Sequence, residues 1–174
     1  KNKFSGAYVQ DPQKGRHEWI YDLDITAMYP SIIMSLNISP ETKIGKIEGW
    51  NSEEFVSNTP KTYSVIMHGK KQGNLTNDEL KMYFNDNQVS ISSNGIIYKT
   101  DKKGLIPALL EQWFDTRVEY RKLAKKFSDE GDEEKYQYFN RRQYIQKVIL
   151  NSLYGVLGLS VFRFYDLDNA EATT

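Results

Sequence analysis

Two short segments, 24–33 and 147–155, hold the residues whose types and spacing best suit chemistry. The first has the sequence Asp-Ile-Thr-Ala-Met-Tyr-Pro-Ser-Ile-Ile, in which a carboxylate precedes a turn and a short apolar run. The second has the sequence Lys-Val-Ile-Leu-Asn-Ser-Leu-Tyr-Gly, in which a cation and an amide stand four residues apart. A carboxylate can bind a metal ion, and a fixed cation and amide can bind phosphate oxygens. Together the two segments predict the nucleotide end of a phosphoryl-transfer site.

The carboxylate of the first segment belongs to a pair. Asp22 and Asp24 lie within residues 18–25, where apolar and polar residues alternate as in a β-strand. At that spacing both side chains share one strand face, which suits a paired metal site but is also common on an ordinary polar face. The following turn leads into a helix with Pro30 in its first turn, where backbone N–H groups can bind phosphate. Tyr29, at the apex of the turn, fits either a packed core or the wall of a sugar pocket.

Two polar stripes are predicted on neighbouring helices. The cations of the first stripe share one helix face: Arg117, Arg121 and Lys125. The second stripe has a cation, an amide and a phenol on one face: Lys147, Asn151 and Tyr154. If the helices are antiparallel neighbours, the stripes meet and supply fixed donors for a triphosphate. A solvated face is the commoner fate of such a cationic row, but its pairing with residues 147–155 favours binding. Gly155 would allow close approach of a base, or would simply pack helices.

The first half of the chain is predicted to form short helices and strands. One helix begins at Pro30, carries apolar residues at Ile32, Ile33 and Leu36, and ends before Pro40. The other elements expected there are a strand over 63–67, a helix over 78–84, and a hairpin of strands 89–92 and 96–99 around Ser93-Asn94-Gly95. The rest of residues 41–87 is mixed and polar and predicts no further element.

The second half is predicted to form two long helices. Apolar residues recur at helical spacing over 107–127 and 133–157, and the acidic turn 128–132 separates them. A short turn between long helices indicates an antiparallel helical hairpin. Residues 161–167 predict a strand or extended segment, and 171–174 predict the start of a helix. The expected fold class is therefore α+β, a β-sheet lobe with an inserted helical hairpin.

The composition excludes several classes of protein and site. The 174 residues carry 23 basic and 23 acidic side chains, so no overall positive field is available for nucleic acid, and any polyanion must meet a local cluster. The absence of cysteine excludes disulfides, zinc-thiolate sites and thiol chemistry. No apolar run approaches the roughly 20 residues of a membrane helix. We therefore expect no membrane partner and a cytoplasmic location.

These residues and motifs resemble those of the family B DNA polymerases, the Pol α-like group. Residues 24–33 resemble motif A of that family, and residues 147–155 resemble its motif B, Lys-x-x-x-Asn-Ser-x-Tyr-Gly. Three further stretches resemble the T-even phage branch: 37–42, 93–95 and 162–167. The resemblance spans nearly the whole chain. It implies part of the palm over 1–105, a fingers helical hairpin over 106–158, and a return to the palm over 159–174.

The resemblance also implies a role for each matched residue. Asp24 corresponds to the motif A aspartate that binds both Mg²⁺ ions, and Tyr29 to the steric gate that rejects a 2′-hydroxyl. The backbone matched to triphosphate contacts is that of Ile25, Thr26, Ala27 and Met28. The side chains matched to triphosphate contacts are those of Arg117, Arg121, Lys147 and Asn151. The residues matched to the surroundings of the nascent base pair are Tyr154 and Gly155.

The implied reaction is template-directed transfer of a deoxynucleotide from a dNTP to the primer 3′-hydroxyl of primer-template DNA. The resemblance implies two Mg²⁺ ions as cofactors, with Mn²⁺ as a substitute. It also implies a location in the host cytoplasm if a phage encodes the protein. Two departures put the packing of the sugar pocket in doubt, because Ala27 and Met28 replace the usual Ser and Leu. The second catalytic aspartate motif of the family, its exonuclease domain and its thumb do not occur in these 174 residues.

Because two metal ions need more than one carboxylate, we expect the isolated chain to be inactive. It would need a C-terminal palm and thumb segment, in cis or in trans. A non-catalytic fragment or subunit that binds nucleotide or another piece of a split polymerase remains the alternative.

Overall fold

The computed structural model of the protein describes residues 6–174 and has a mixed α+β fold. Its strands are β1 (Lys43–Glu48), β2 (Thr62–Met67), β3 (Lys70–Thr76), β4 (Val89–Ile91) and β5 (Ile96–Lys99). Its helices are α1 (Met28–Leu36), α2 (Ser52–Val56), α3 (Asn77–Asp86), α4 (Leu105–Asp129), α5 (Glu133–Leu157) and α6 (Leu167–Thr173). Residues 1–5, the start of the expected first unit, lie outside the described part.

The strands form one antiparallel sheet in the order β3-β2-β1-β5-β4. Strand β5, next to the central strand β1, is buried on both faces. Ile96 and Tyr98 belong to one buried cluster and Ile97 to another, as expected when successive side chains point to opposite faces. Apolar layers therefore cover both faces of the sheet at this strand.

The face that carries Ile97 packs against aromatic side chains from the short helices α2 and α3. The buried strand side chains of this layer are Ile44, Ile47, Tyr63 and Val65, and Leu80 of α3 is buried against them. Around them the ring of Trp50 lies with its centroid 5.5 Å from that of Tyr63 and 4.8 Å from that of Phe55. A capping box between Thr76 and Glu79 starts α3 directly after β3 and places it on this layer.

The opposite face packs against α1, α6 and the lower ends of α4 and α5. The buried side chains contributed by these helices are Ile33, Ile106, Leu110, Leu150, Leu157, Ala170 and Ala172. The segment after α5 is also tied to the sheet by polar contacts. Lys43 Nζ lies 2.9 Å from a carboxylate oxygen of Asp166 and 2.7 Å from one of Asp168, and the Tyr98 hydroxyl donates to Asn169 Oδ1 over 2.8 Å. We call the lower ends of α4 and α5, which this core encloses, the root of the helical hairpin.

Aromatic and cation–π contacts hold the far half of the hairpin together. The rings of Phe127 in α4 and Phe139 in α5 stack with centroids 5.5 Å apart, and the Arg142 guanidinium of α5 lies 5.9 Å from the ring centroid of Tyr120 in α4. Asp132 begins α5 by accepting from the backbone N–H of Lys135 over 3.1 Å. Within residues 6–174, no helix combines the length and the apolar character that a membrane crossing requires.

Most of the elements expected from the sequence are confirmed. The helix after residue 27, the strand near 63–67, the helix near 78–84, the hairpin around 93–95 and the long helical hairpin are all present. Strands β1 and β3 and helix α2 were not expected. Residues 161–164 form turns and a bend, residues 165–166 belong to no regular element, and α6 begins at Leu167 rather than near 171, so the strand or extended segment expected over 161–167 is wrong.

The strand expected over residues 18–25 is also wrong. Within residues 6–174 this segment has no strand partner, and its large apolar side chains face solvent, with 98% of Trp19, 85% of Tyr21 and 80% of Leu23 exposed. The physical reason is the lack of a hydrogen-bonding neighbour. A β-strand needs a paired strand, and the sheet β3-β2-β1-β5-β4 does not include this segment.

Candidate nucleotide-binding site

Segment 24–29 leads into α1 through a turn that the sequence predicted. Ala27 adopts the left-handed conformation with φ 50° and ψ 50°, which reverses the chain just before the helix. Ser31 fixes this turn, because its hydroxyl donates to Thr26 O over 3.3 Å and its N–H donates to Ala27 O over 2.9 Å. The side chain of Asp24 is exposed in front of the turn, and so are those of its neighbours: Ile25, Thr26 and Met28.

The helical hairpin brings the second segment against the first. The rings of Tyr29 in α1 and Tyr154 in α5 stack in near-parallel orientation, with centroids 4.3 Å apart and an interplanar angle of 15°. Both rings are half-buried, and Tyr154 also packs on the core cluster around Ile33. Burial, and then the neighbouring Tyr29, raise the pKa of the Tyr154 phenol. The two segments that the sequence singled out are therefore in direct contact.

The two polar stripes also lie on neighbouring helices, because α4 and α5 are antiparallel. Arg117 is half-buried, and its Nε donates to Gln143 Oε1 over 3.5 Å. Lys147 follows Gln143 by one helical turn, about 6 Å along the axis, towards the root of the hairpin. The Arg117 and Lys147 side chains therefore start from adjoining turns of the two helices, and their joint binding of an anion stays a prediction. Sequence reasoning missed Gln143, whose contact with Arg117 sets the register between the stripes.

The stripes concentrate positive charge. Burial, and then the charge of nearby Arg121, lower the pKa of the Arg117 guanidinium. None of the ion pairs within residues 6–174 involves Arg117, Arg121 or Lys147. An anion placed between the helices would relieve this repulsion and form charge-assisted hydrogen bonds.

The remaining α5 residues of the candidate site are accessible. Lys147, Asn151 and Gly155 are exposed along one side of the helix, and Tyr154 is half-buried beside them. Beyond the backbone of its own helix, no atom of the described residues lies within 4 Å of a Cβ built on Gly155. Among the described residues, Gly155 therefore does not pack against another helix, which was one of its two expected roles.

The described residues do not by themselves form a metal centre. Within residues 6–174, no group of three or more His, Cys, Asp or Glu side chains is arranged to hold a metal ion. Asp22 and Asp24 are both exposed in the same irregular stretch, and Asp166 is engaged by Lys43. Mg²⁺ takes several oxygen ligands in a near-octahedral arrangement. Asp24 can provide one of them, but it does not complete a two-metal site here.

Comparison with known proteins identifies one family to which this chain is similar. The family described as "DNA polymerase family B" matches residues 1–174. The DNA-directed DNA polymerase of Enterobacteria phage T4 is 28% identical over 100% of this chain and 22% of its own length. DNA polymerase 1 of Pyrococcus abyssi is 28% identical over 100% of this chain and 17% of its own length. The chain thus spans about a fifth of the length of the curated relatives it matches.

A solved structure has the same fold over most of the chain. The family B DNA polymerase from the hyperthermophilic archaeon Pyrobaculum calidifontis superposes with a TM-score of 0.56 and 26% sequence identity, covering 85% of this chain and 15% of that one. Relatives from phages T4 and RB69 agree with the T-even resemblance of the local motifs. With the profile match over its entire length, this chain belongs to DNA polymerase family B.

Proposed function

We propose that this chain is the nucleotide-binding part of a DNA-directed DNA polymerase, which adds deoxynucleotides from dNTPs to a primer 3′-hydroxyl on template DNA. The observation that carries the proposal is the stacking of Tyr29 on Tyr154 at 4.3 Å, which joins the Asp24 segment to the Lys147 segment at one place. Polymerase chemistry needs these groups together, because a triphosphate must be held by cations while its sugar is oriented.

Each side chain has a defined task in this proposal. Arg117, Arg121, Lys147 and Asn151 bind the triphosphate, and the backbone of residues 25–28 lines its approach. The ring of Tyr29 closes the space next to the sugar and rejects a 2′-hydroxyl. Tyr154 supports that ring from α5, and Gly155 leaves room for the nascent base pair.

Asp24 is proposed as one oxygen ligand of the Mg²⁺ ions, with Mn²⁺ as a substitute. Two bound ions stabilise the attacking and leaving oxygens of phosphoryl transfer. Because the described residues complete no such centre, we propose that further carboxylates come from another palm segment of the polymerase, in cis or in trans. The same segment, together with the thumb, would make most of the contacts with primer-template DNA.

The exposure of segment 18–25 supports the proposal that a further palm segment packs against it. Its alternating pattern fits a strand, and Trp19, Tyr21 and Leu23 are at least 80% exposed. A strand from the further palm segment would pair with its backbone and cover these side chains. We accordingly propose that residues 1–105 are part of the palm, residues 106–158 the fingers, and residues 159–174 a return to the palm.

A non-catalytic role is the second candidate, and the lack of a complete metal centre favours it. In that role the chain would bind a dNTP, or another piece of a polymerase, through the same stripes without transferring nucleotides by itself. Both candidates predict nucleotide binding, and they differ in whether the carboxylate of Asp24 takes part in chemistry.

Primer extension separates the candidates. The purified chain is incubated with a primed template, dNTPs and Mg²⁺, alone and together with the palm and thumb segment of a related polymerase. We expect no extension by the chain alone and extension by the mixture, abolished by Asp24→Asn. Extension by the chain alone that Asp24→Asn abolishes would show that the second ligand lies within this chain. Extension by the mixture that survives Asp24→Asn would exclude a catalytic role for Asp24.

A further inference from the structure

The first turn of α4 is capped by a loop that lies more than sixty residues earlier in the chain. The N-cap residue of α4 is Gly104, which has no side chain to accept from the free N–H groups of the helix. Asn37 Oδ1 accepts from the N–H of Gly104 over 2.8 Å, and Glu41 Oε1 accepts from the N–H of Leu105 over 2.5 Å. Ser39 Oγ is the third acceptor, 3.4 Å from the N–H of Ile106. We call residues 37–42 the cap loop.

The cap loop is itself held in one conformation. Asn37 Nδ2 donates to Lys99 O over 2.6 Å and to Lys102 O over 2.8 Å, so this amide makes three hydrogen bonds that fix the chain on both sides of α4's start. The Thr42 hydroxyl lies 2.6 Å from Asn37 O, closing the loop. Asn37, Ser39 and Thr42 are buried. These polar groups are thus satisfied by each other, by the segment 99–104 and by the first turn of α4.

The cap loop touches the helix start without a gap. A Cβ built on Gly104 would lie 2.7 Å from the Cβ of Ser39 and 3.0 Å from Cγ2 of Thr42. A glycine is therefore required at this position for steric reasons, although its φ of −69° suits any residue. Direct contact with the loop therefore helps to fix the start and direction of α4, together with the packing of Ile106 and Leu110 in the core.

The same loop begins where α1 ends. Asn37 is the C-cap of α1 in the left-handed conformation, with φ 57° and ψ 41°. Tyr29 lies near the other end of this helix. The cap loop therefore connects the Tyr29 segment to the root of the helix that carries Arg117 and Arg121.

A small change in the angle of α4 at this cap produces a large displacement of Arg117 and Arg121. Arg117 follows Leu105 by twelve residues, about 18 Å along the helix axis. A rotation of α4 by about 10° at its first turn would move Arg117 by about 3 Å over that length. A binding site needs its side chains held within about 0.5 Å of the productive geometry. Anchoring α4 at its first turn thus controls where the guanidinium groups lie.

We propose that Glu41, supported by Asn37 and Ser39, is a positioning residue that holds α4 at the angle at which Arg117 and Arg121 meet the triphosphate. It acts without touching the nucleotide. Its carboxylate also places negative charge at the positive end of a 25-residue helix. This inference rests on the proposed function only for the identity of the anion. The cap itself follows from the hydrogen bonds of Asn37, Ser39 and Glu41 to the start of α4.

Glu41 behaves as an ionised cap. Burial opposes its charged form, but the hydrogen bonds from the Leu105 N–H, the Ser39 hydroxyl and its own N–H outweigh burial and lower the pKa of the carboxyl. Ser39 Oγ donates to Glu41 Oε2 over 2.7 Å, so both carboxylate oxygens are used. A glutamine at this position would keep one acceptor for Leu105 but lose the charge.

The test measures the angle of the hairpin and the affinity for phosphate in the same variants. Since the chain has no cysteine, spin labels can be attached to Ser128→Cys at the hairpin tip and Gln72→Cys on β3, both exposed positions. The probe for the site is inorganic tripolyphosphate, measured by calorimetry. We expect Glu41→Ala to broaden or shift the distance between the labels. It should also weaken tripolyphosphate binding about tenfold, the effect expected if one displaced arginine loses its charge-assisted hydrogen bond to phosphate. Glu41→Gln should restore much of both.

Two further variants complete the design. Gly104→Ala keeps every cap side chain but pushes the loop away from the helix, and should reproduce the effect of Glu41→Ala. Glu134→Gln removes an exposed carboxylate from the first turn of α5 and should change neither the distance between the labels nor the affinity for tripolyphosphate. An unchanged distance in Glu41→Ala and Gly104→Ala, or unchanged affinity despite a shifted distance, would overturn the positioning role. Failure of the unmodified chain to bind tripolyphosphate would instead overturn the proposed function, and with it this role for Glu41.

Discussion

The rings of Tyr29 and Tyr154 stack with their centroids 4.3 Å apart, although 124 residues separate them in the chain. The contact exists because α1 and α5 share one buried cluster around Ile33 and Leu150. It brings the segment that carries the exposed Asp24 into contact with the helix that carries the exposed Lys147. In our proposal this pair is the wall against which the sugar of the nucleotide is selected.

The stacked pair should contribute measurable coupling to stability. Urea unfolding of Tyr29→Ala, Tyr154→Ala and the double variant gives the interaction energy of the two rings by a double-mutant cycle. We expect about 1 kcal/mol, the usual value for an aromatic pair beyond its burial. The cycle between Tyr29 and the exposed Tyr144, also in α5, serves as the control and should be additive. A coupling near zero for Tyr29 and Tyr154 would mean that the contact does not hold α1 against α5.

Gly95 should be far less tolerant of alanine than Gly131. Both have a positive φ, 81° and 72°, so alanine is strained at either position. Only at Gly95 would the new Cβ lie 2.7 Å from Ile47 O and 2.7 Å from the Cβ of Trp50, whereas no atom of the described residues lies within 4 Å at Gly131. We expect thermal or urea unfolding to give a loss of about 1 kcal/mol for Gly131→Ala and more than about 3 kcal/mol for Gly95→Ala. Equal losses would contradict the packing of the turn 92–95 against β1.

The contacts of Lys43 and Lys46 with Asp168 should weaken in acid. Burial opposes ionisation of Asp168, but hydrogen bonds from the two lysines and their charges hold its pKa below the ordinary 3.8. Because the folded pKa is lower than the unfolded one, this stabilisation is present above pH 3.8 and is lost as the pH falls through the folded pKa. Asp168→Asn should therefore cost about 1–2 kcal/mol at pH 7, between the values for exposed and buried ion pairs.

Urea unfolding at a series of pH values checks this prediction. The difference between the unmodified chain and Asp168→Asn should shrink as the pH falls from neutral into the acid range. Asp115→Asn, at an exposed position in α4, is the control and should cost little at any pH. A difference between the chain and Asp168→Asn that is constant with pH would mean that the stabilisation does not depend on the charge of Asp168.

The exposed apolar segment should make the isolated chain self-associate. Trp19 is 98% exposed and Leu23 80% exposed, and the segment has no strand partner among the described residues. Unpaired backbone with large apolar side chains favours pairing with another copy. Light scattering over a wide range of concentration should show association that Trp19→Asp with Leu23→Asp reduces. A monomer at all concentrations would contradict the prediction.

Local patterns were sufficient to predict most of the fold. The Ser93-Asn94-Gly95 turn and the two long amphipathic helices carry their information in a few neighbouring residues, and all are present. Strand β3, which begins Lys-Lys-Gln-Gly, was missed because it is a polar edge strand in which alternation is weak. The segment 18–25 has a clear strand pattern but pairs with no strand in the part of the chain that the structure describes, and pairing cannot be deduced from one segment alone.

The candidate site was predictable to a similar degree. The residue types and spacing of the two motifs identified Tyr29, Lys147 and Tyr154, and the structure brings the two tyrosines together. The cap formed by Asn37 and Glu41 on α4 could not be predicted, since those contacts join residues more than sixty positions apart and leave no periodic pattern. Only a fold that places the end of α1 beside the start of α4 reveals them.

The most direct test of the account is nucleotide binding by variants of the two stripes. Titration calorimetry measures the affinity for a dNTP in two double variants. The first carries Arg117→Ala together with Lys147→Ala, and the matched control carries Lys122→Ala together with Arg141→Ala. The matched pair removes the same charges from exposed positions on the same two helices. We predict that the first pair weakens binding at least about a hundredfold, since each charge-assisted hydrogen bond is worth about 1.5–3 kcal/mol, and that the matched pair changes it little. Equal affinities for the two pairs would contradict the assignment of this site to the triphosphate.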